Sequence, residues 1–121
     1  VSWRDDIDQE EEMTFRRFQR LAMRPAFYPN LGSNPTYPVL GLNGEAGEVA
    51  EKVKKLMRDD GGVITEAHRE AVRKELGDVL WYVAATAYEF GFTIEDCAVS
   101  NIEKLYDRMD RGKLKGSGDD R

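Results

Sequence analysis

A chain of 121 residues builds one hydrophobic core and not two, so a single domain over 1–121 is expected. Apolar residues make up 40% and charged residues 34%, the balance of a globular protein with much solvated helix surface. The formal net charge of −5 argues against nucleic acid as a partner but leaves nucleotides open, since a bound metal supplies positive charge locally.

The first periodic segment runs from about Ile7 to Arg24, with Phe15, Phe18, Leu21 and Ala22 on one stripe and Arg16, Arg17 and Arg20 mostly off it. Pro25 closes it, because the residue before a proline avoids the helical region. Residues 25–38 hold all four prolines with Asn30, Gly32 and Asn34, and read as a loop carrying the aromatic residues Phe27, Tyr28 and Tyr37. A second helix is predicted from about Val39 to Arg58, its apolar side made by Leu42, Val49, Val53, Leu56 and Met57. Asp59-Asp60-Gly61-Gly62 stops it. Thr65 is the predicted N-cap of a third helix, Glu66 to Phe90, whose stripe from Val72 to Ala87 is the longest in the chain and makes it the central helix. Gly91 ends it. Thr93 with Asp96 forms a capping-box pattern for a fourth helix up to about Asp110, with Ile94, Cys97, Ala98, Ile102, Leu105 and Met109 facing inward. Residues 112–121 carry too little apolar content to hold themselves, so a flexible or ligand-ordered tail is expected. Strand-type alternation is absent, and the fold class is all-α.

Cys97, the single cysteine, leaves no internal disulfide and fits a reducing compartment. The opening Val1-Ser2-Trp3-Arg4-Asp5-Asp6 leads into an acidic run and not an apolar signal core, and no stretch approaches the roughly 20 apolar residues of a membrane span. A cytoplasmic protein without a membrane partner is expected.

The chemistry centres on Gly44-Glu45-Ala46-Gly47-Glu48 and its echo Lys74-Glu75-Leu76-Gly77-Asp78. Each places two carboxylates three residues apart, on one side of a helix. One such pair in an acidic protein is ordinary solvated surface. Two pairs, each with a helix-weakening glycine among apolar neighbours, point instead to facing teeth across a helix pair. Four carboxylates in one place repel unless a cation sits between them, and an all-oxygen set suits a hard ion such as Mg²⁺. Gly47 and Gly77 each cost about 1 kcal/mol relative to alanine, which a close approach of the two helices would explain. Di-iron chemistry needs Glu-x-x-His, and the lone His68 is preceded at that spacing by Thr65. His68 reads as a surface residue near a helix start, and Cys97 as core. Asn101, Lys104 and Arg108 share one face of the fourth helix and suit phosphate oxygens, although such a stripe also complements a helix C-terminus.

Glu45-x-x-Glu48 followed by Glu75-x-x-Asp78 resembles the signature of the MazG-like all-α nucleoside triphosphate pyrophosphohydrolases, a group that includes dimeric dUTPases and dCTP pyrophosphatases. The likeness extends to Tyr37-Pro38-x-x-Gly41-Leu42, to Asp78-Val79-Leu80-Trp81-Tyr82, and to Asn101-x-x-Lys104-Leu105-x-x-Arg108 with Gly112 and Ser117-Gly118. It implies a four-helix, oligomeric MazG-like bundle, a homodimer or homotetramer. It further implies Mg²⁺-dependent hydrolysis of a (d)NTP to the monophosphate and pyrophosphate in nucleotide house-cleaning, with Mn²⁺ as the alternative ion. Carried over, Glu45, Glu48, Glu75 and Asp78 hold the metal, and Glu48 orients or deprotonates the water. Lys104, Arg108 and Asn101 grip phosphates, and Tyr82 stacks on the sugar. Phe18, Gln19, Phe27 and Tyr28 are the implied base contacts. The histidine used by some dCTP-specific members has no counterpart in the first helix. A non-catalytic nucleotide-sensing module, or a purely structural bundle, is the alternative from another class.

Overall fold

The computed structural model describes residue 5, residues 12–112 and residues 116–119. Among these residues lie four α-helices and no strand: α1 (Phe15–Met23), α2 (Thr36–Asp59), α3 (Glu66–Phe90) and α4 (Ile94–Asp110). The fold is all-α. Central position falls to α3, as expected, since it touches every other helix while α2 packs on α3 alone. No described helix is long and apolar enough to cross a membrane.

Local chemistry explains the boundaries. At the start of α3 the Thr65 hydroxyl accepts from His68 N at 3.3 Å, and His68 Nδ1 accepts from Thr65 N at 2.9 Å. A backbone N–H only donates, so Nδ1 carries a lone pair and Nε2 carries the proton. That proton goes to Asp60 Oδ2, 2.9 Å away. His68 thus does more than occupy surface: it caps α3 and ties it to the turn after α2. Gly61 and Gly62 (φ 61° and 80°) take the left-handed conformations of that turn. At the other end Gly91 (φ 80°) and the bond from Phe92 N to Ala87 O close α3. Thr93 and Asp96 form a reciprocal capping box at 3.0 Å each, which holds the Asp96 carboxyl below its ordinary range.

Two starts differ from expectation. Helix α1 begins at Phe15 and not Ile7, because Thr14 is extended and its hydroxyl accepts from Arg17 N at 3.1 Å; the predicted residues 7–11 lie outside those described. Helix α2 begins at Thr36 and not Val39. Pro38 falls in its first turn, where a missing N–H leaves no helical bond unmade, and Asn34 Oδ1 accepts from Tyr37 N at 3.2 Å.

The core is small. Ala22, Ala84 and Ile94 are buried, with Phe18, Trp81 and Val83 packed around them. Gln19 locks the junction: its Nε2 donates to Ala84 O and its Oε1 accepts from Ile94 N, each at 3.1 Å. Trp81 Nε1 donates to Ala22 O at 2.9 Å. Several expected core positions are not covered. Cys97 is exposed, as are Ile102, Leu105 and Met109, because α4 is anchored at its beginning, through Ile94. Arg17, placed off the apolar stripe by its periodicity, is buried.

The proline-rich loop is built onto α3. Tyr28 is buried, and its hydroxyl donates to Glu89 Oε1 at 2.9 Å, the same oxygen that accepts from Gly32 N at 2.9 Å. Burial first, then the bond to Glu89, pushes the Tyr28 phenol above its ordinary pKa. Asn34 Nδ2 donates to Pro29 O at 2.8 Å. Tyr28→Phe is expected to cost about 1 kcal/mol in urea unfolding, whereas Phe27→Ala, at a position 92% exposed, stays within about 0.5 kcal/mol of the parent.

Candidate metal centre and its aromatic wall

Helices α2 and α3 run antiparallel. Gly41 meets Tyr82, Glu45 meets Glu75 and Asp78, and Asp60 meets His68. This register turns two i,i+3 carboxylate pairs into one cluster. One oxygen each from Glu45, Glu75 and Asp78 lies within 4.8 Å of the others. Glu45 and Glu75 are half-buried, and Asp78 is exposed. Partial desolvation, then the charges of Asp78, Glu75 and Glu48, raise the Glu45 carboxyl above its ordinary pKa. Like charges at such separations repel by roughly 1 kcal/mol per pair even at the dielectric of water. Lys52 Nζ, 3.9 Å from Glu75 Oε1, offsets only part of this. A three-carboxylate, all-oxygen set at this spacing fits a hard divalent cation. Glu48, expected as a fourth member, lies outside the trio and is exposed, yet is near enough to raise Glu45.

The glycines behave differently from the reading of a close helix approach. A methyl group placed on Gly44, Gly47 or Gly77 meets nothing within 4 Å. On Gly41 it would lie 2.1 Å from Tyr82 Cε1. The close approach is therefore one turn before Glu45, where a ring and not a backbone fills the space. Tyr82, one turn after Asp78, stands at the edge of the trio. Its phenol is raised by burial first, then by Tyr37 (charge and hydrogen bond), then by Glu45 and Asp78. Trp81 meets it edge-on at 5.1 Å, and Tyr37 lies 6.5 Å away, tilted by 45°. Tyr37 in turn stacks on Tyr28 with centroids 4.9 Å apart and planes 12° from parallel. The result is a row of rings leading away from the carboxylates.

Most of the other candidates have partners of their own. Phe18 packs on the core and Gln19 is the clip between α1, α3 and α4. Asn101 is exposed on α4. Lys104 and Arg108 meet the returning tail: Lys104 Nζ is 3.0 Å from Asp119 Oδ1, and Arg108 Nη2 donates to Asp119 O at 2.6 Å and to Gly118 O at 3.4 Å. Residues 116–119 are therefore placed against α4; residues 113–115, 120 and 121 lie outside those described. Lys104, then Arg108, hold the Asp119 carboxyl below its ordinary range. Sequence pattern alone does not assign these contacts to Gly41, Tyr37 and Asp119. For the first two the spacing held a signal, since Tyr37, Gly41 and Glu45 recur at four-residue intervals on one face of α2.

The glycines give a direct check on this geometry. Gly47→Ala and Gly77→Ala, with open space for the methyl group, are expected to raise stability by about 0.5–1 kcal/mol. Gly41→Ala should lower it despite the same gain in helix propensity, because overpacking Tyr82 costs about 1–3 kcal/mol. Thermal unfolding of the three variants decides.

A family model, the MazG nucleotide pyrophosphohydrolase domain, matches residues 34–112, from the start of α2 to the end of α4. The chain is 44% identical over 109 residues to the Gene 37 protein of Mycobacterium phage L5, covering 86% of this chain and 96% of that protein. No solved structure matches. With the carboxylate trio, its helical hairpin and these matches together, the chain belongs to the MazG nucleotide pyrophosphohydrolase family.

Proposed function

We propose that this protein is a Mg²⁺-dependent nucleoside triphosphate pyrophosphohydrolase, converting a (d)NTP and water to the (d)NMP and pyrophosphate in cytoplasmic nucleotide-pool cleaning, with Mn²⁺ as an alternative ion. The observation that carries this reading is the Glu45–Glu75–Asp78 trio, three carboxylate oxygens within 4.8 Å on a helical hairpin of the matched family. Bound there, the metal would neutralise triphosphate charge and make the attacking water more acidic.

The chain's own groups supply the rest. Glu45, Glu75 and Asp78 hold the metal. Glu48, one turn from Glu45 and outside the trio, is free to accept the proton of a water directed at the α–β phosphoanhydride. Lys104 and Arg108 form an anion grip, and their present contact with the Asp119 carboxylate supports that role: phosphate oxygens would take the same donors. Asn101, on the same face of α4, joins them as a hydrogen-bond donor. Tyr82 lines the nucleoside side of the trio. Phe18 and Gln19, implied base contacts by the resemblance, would act only indirectly, since one packs on the core and the other bonds Ala84 and Ile94.

A second copy of the chain completes the assembly in this reading, as a homodimer or homotetramer. Val53, Met57, Ile64, Leu76 and Leu80 line an open apolar groove of about 810 Å³ along α2 and α3, and all five are exposed. Ile102, Leu105 and Met109 make a second exposed stripe on α4. So much uncovered apolar surface supports assembly with a second copy. Light scattering is expected to give at least twice the chain mass; a monomer at micromolar concentration would refute the assembly.

Glu48→Gln is expected to reduce turnover by at least about 100-fold while Mg²⁺ still raises the melting temperature. Asp78→Asn should remove both turnover and the Mg²⁺ shift, with helix content intact by circular dichroism. A parent protein that Mg²⁺ stabilises but that cleaves no nucleotide would favour the sensing module. Unfolding of both variants would make these acids structural.

A further inference from the structure

From the row of rings beside the trio we infer that Tyr37 is the surface on which the nucleobase stacks. This rests on the nucleotide reading above and adds to it the residue that grips the nucleoside.

Tyr37 combines three properties that no other described aromatic residue shares. It is 43% exposed, although the ring beneath it, Tyr28, is only 6% exposed. One face is covered by that parallel stack at 4.9 Å, which leaves the opposite face for a ligand. Its ring adjoins Tyr82, with centroids 6.5 Å apart, and Tyr82 feels the charges of Glu45 and Asp78. A triphosphate held at the trio therefore passes its sugar along Tyr82 and brings its base to the next ring in the row.

The platform is also rigid before any ligand arrives. Tyr37 N is capped by Asn34 Oδ1, Pro38 follows it fully buried, and Tyr28 is pinned by Glu89. A fixed aromatic face loses little freedom on binding. The competing rings are committed or remote: Phe18 lies in the core, and Trp81 is edge-on to Tyr28 and Tyr82 with its N–H bound to Ala22 O. Phe27, at 92% exposure, stands outside the row formed by Tyr28, Tyr37 and Tyr82. Stacking is tolerant of base identity because every base has a π-face. Tyr37 thus gives affinity for nucleosides in general, not a choice among bases.

The test is equilibrium binding, with Mg²⁺, of nucleotides carrying a non-hydrolysable α,β-imido bridge, set against binding of inorganic triphosphate, which has neither sugar nor base. Tyr37→Ala is expected to weaken the nucleotide about 10- to 100-fold and leave inorganic triphosphate unchanged. Tyr37→Leu, which keeps apolar cover over Tyr28, should show the same split, and Tyr37→Phe should bind like the parent. Equal weakening of both ligands, or unchanged nucleotide binding in folded Tyr37→Ala or Tyr37→Leu, overturns the inference. A parent protein that binds neither ligand would instead defeat the nucleotide reading on which it stands.

Discussion

Three carboxylates from two helices share a space 4.8 Å across, and that arrangement is unfavourable without a cation. What holds them there is the register of the α2–α3 hairpin. Its turn is fixed by Gly61, Gly62 and the His68 bridge between Thr65 and Asp60; its far end is fixed by Tyr82 seated on Gly41. Both ends favour the register, so the repulsion between is sustained by packing elsewhere. Neighbouring charges raise Glu45, and a divalent ion would relieve them.

Much of this is legible in the residues, for identifiable reasons. The capped ends of α3 and α4 follow from Thr65, Gly91, Thr93 and Asp96, whose local chemistry depends on nothing distant. The paired acids follow from helical spacing. What periodicity misses depends on tertiary contact. Gly47 and Gly77 signal a weakened helix equally well whether or not a neighbour approaches, and only Gly41 has one. Glu48 shares its face with Glu45, yet the crossing of α2 and α3 brings only the first of them to Glu75 and Asp78. Thr14 caps α1 later than the acidic run suggests, and Pro38 enters α2 because a first turn tolerates proline.

The inward face read for α4 exposes a different kind of limit. Ile102, Leu105 and Met109 have the spacing of a buried stripe, yet lie in the open in a single chain. Spacing reports that a face is to be covered, not by what. The same holds for the α2–α3 groove. A sequence that reads as core and folds as surface is consistent with assembly. On this account the small Ala22–Ala84–Ile94 core is one part of a larger apolar interior.

The most direct measurement of the central claim is phosphorus NMR of a panel of NTPs and dNTPs incubated with the protein, with and without Mg²⁺. Monophosphate and pyrophosphate are expected as paired products, formed only with the metal. Diphosphate and orthophosphate, or the same products in the presence of a chelator, would contradict it.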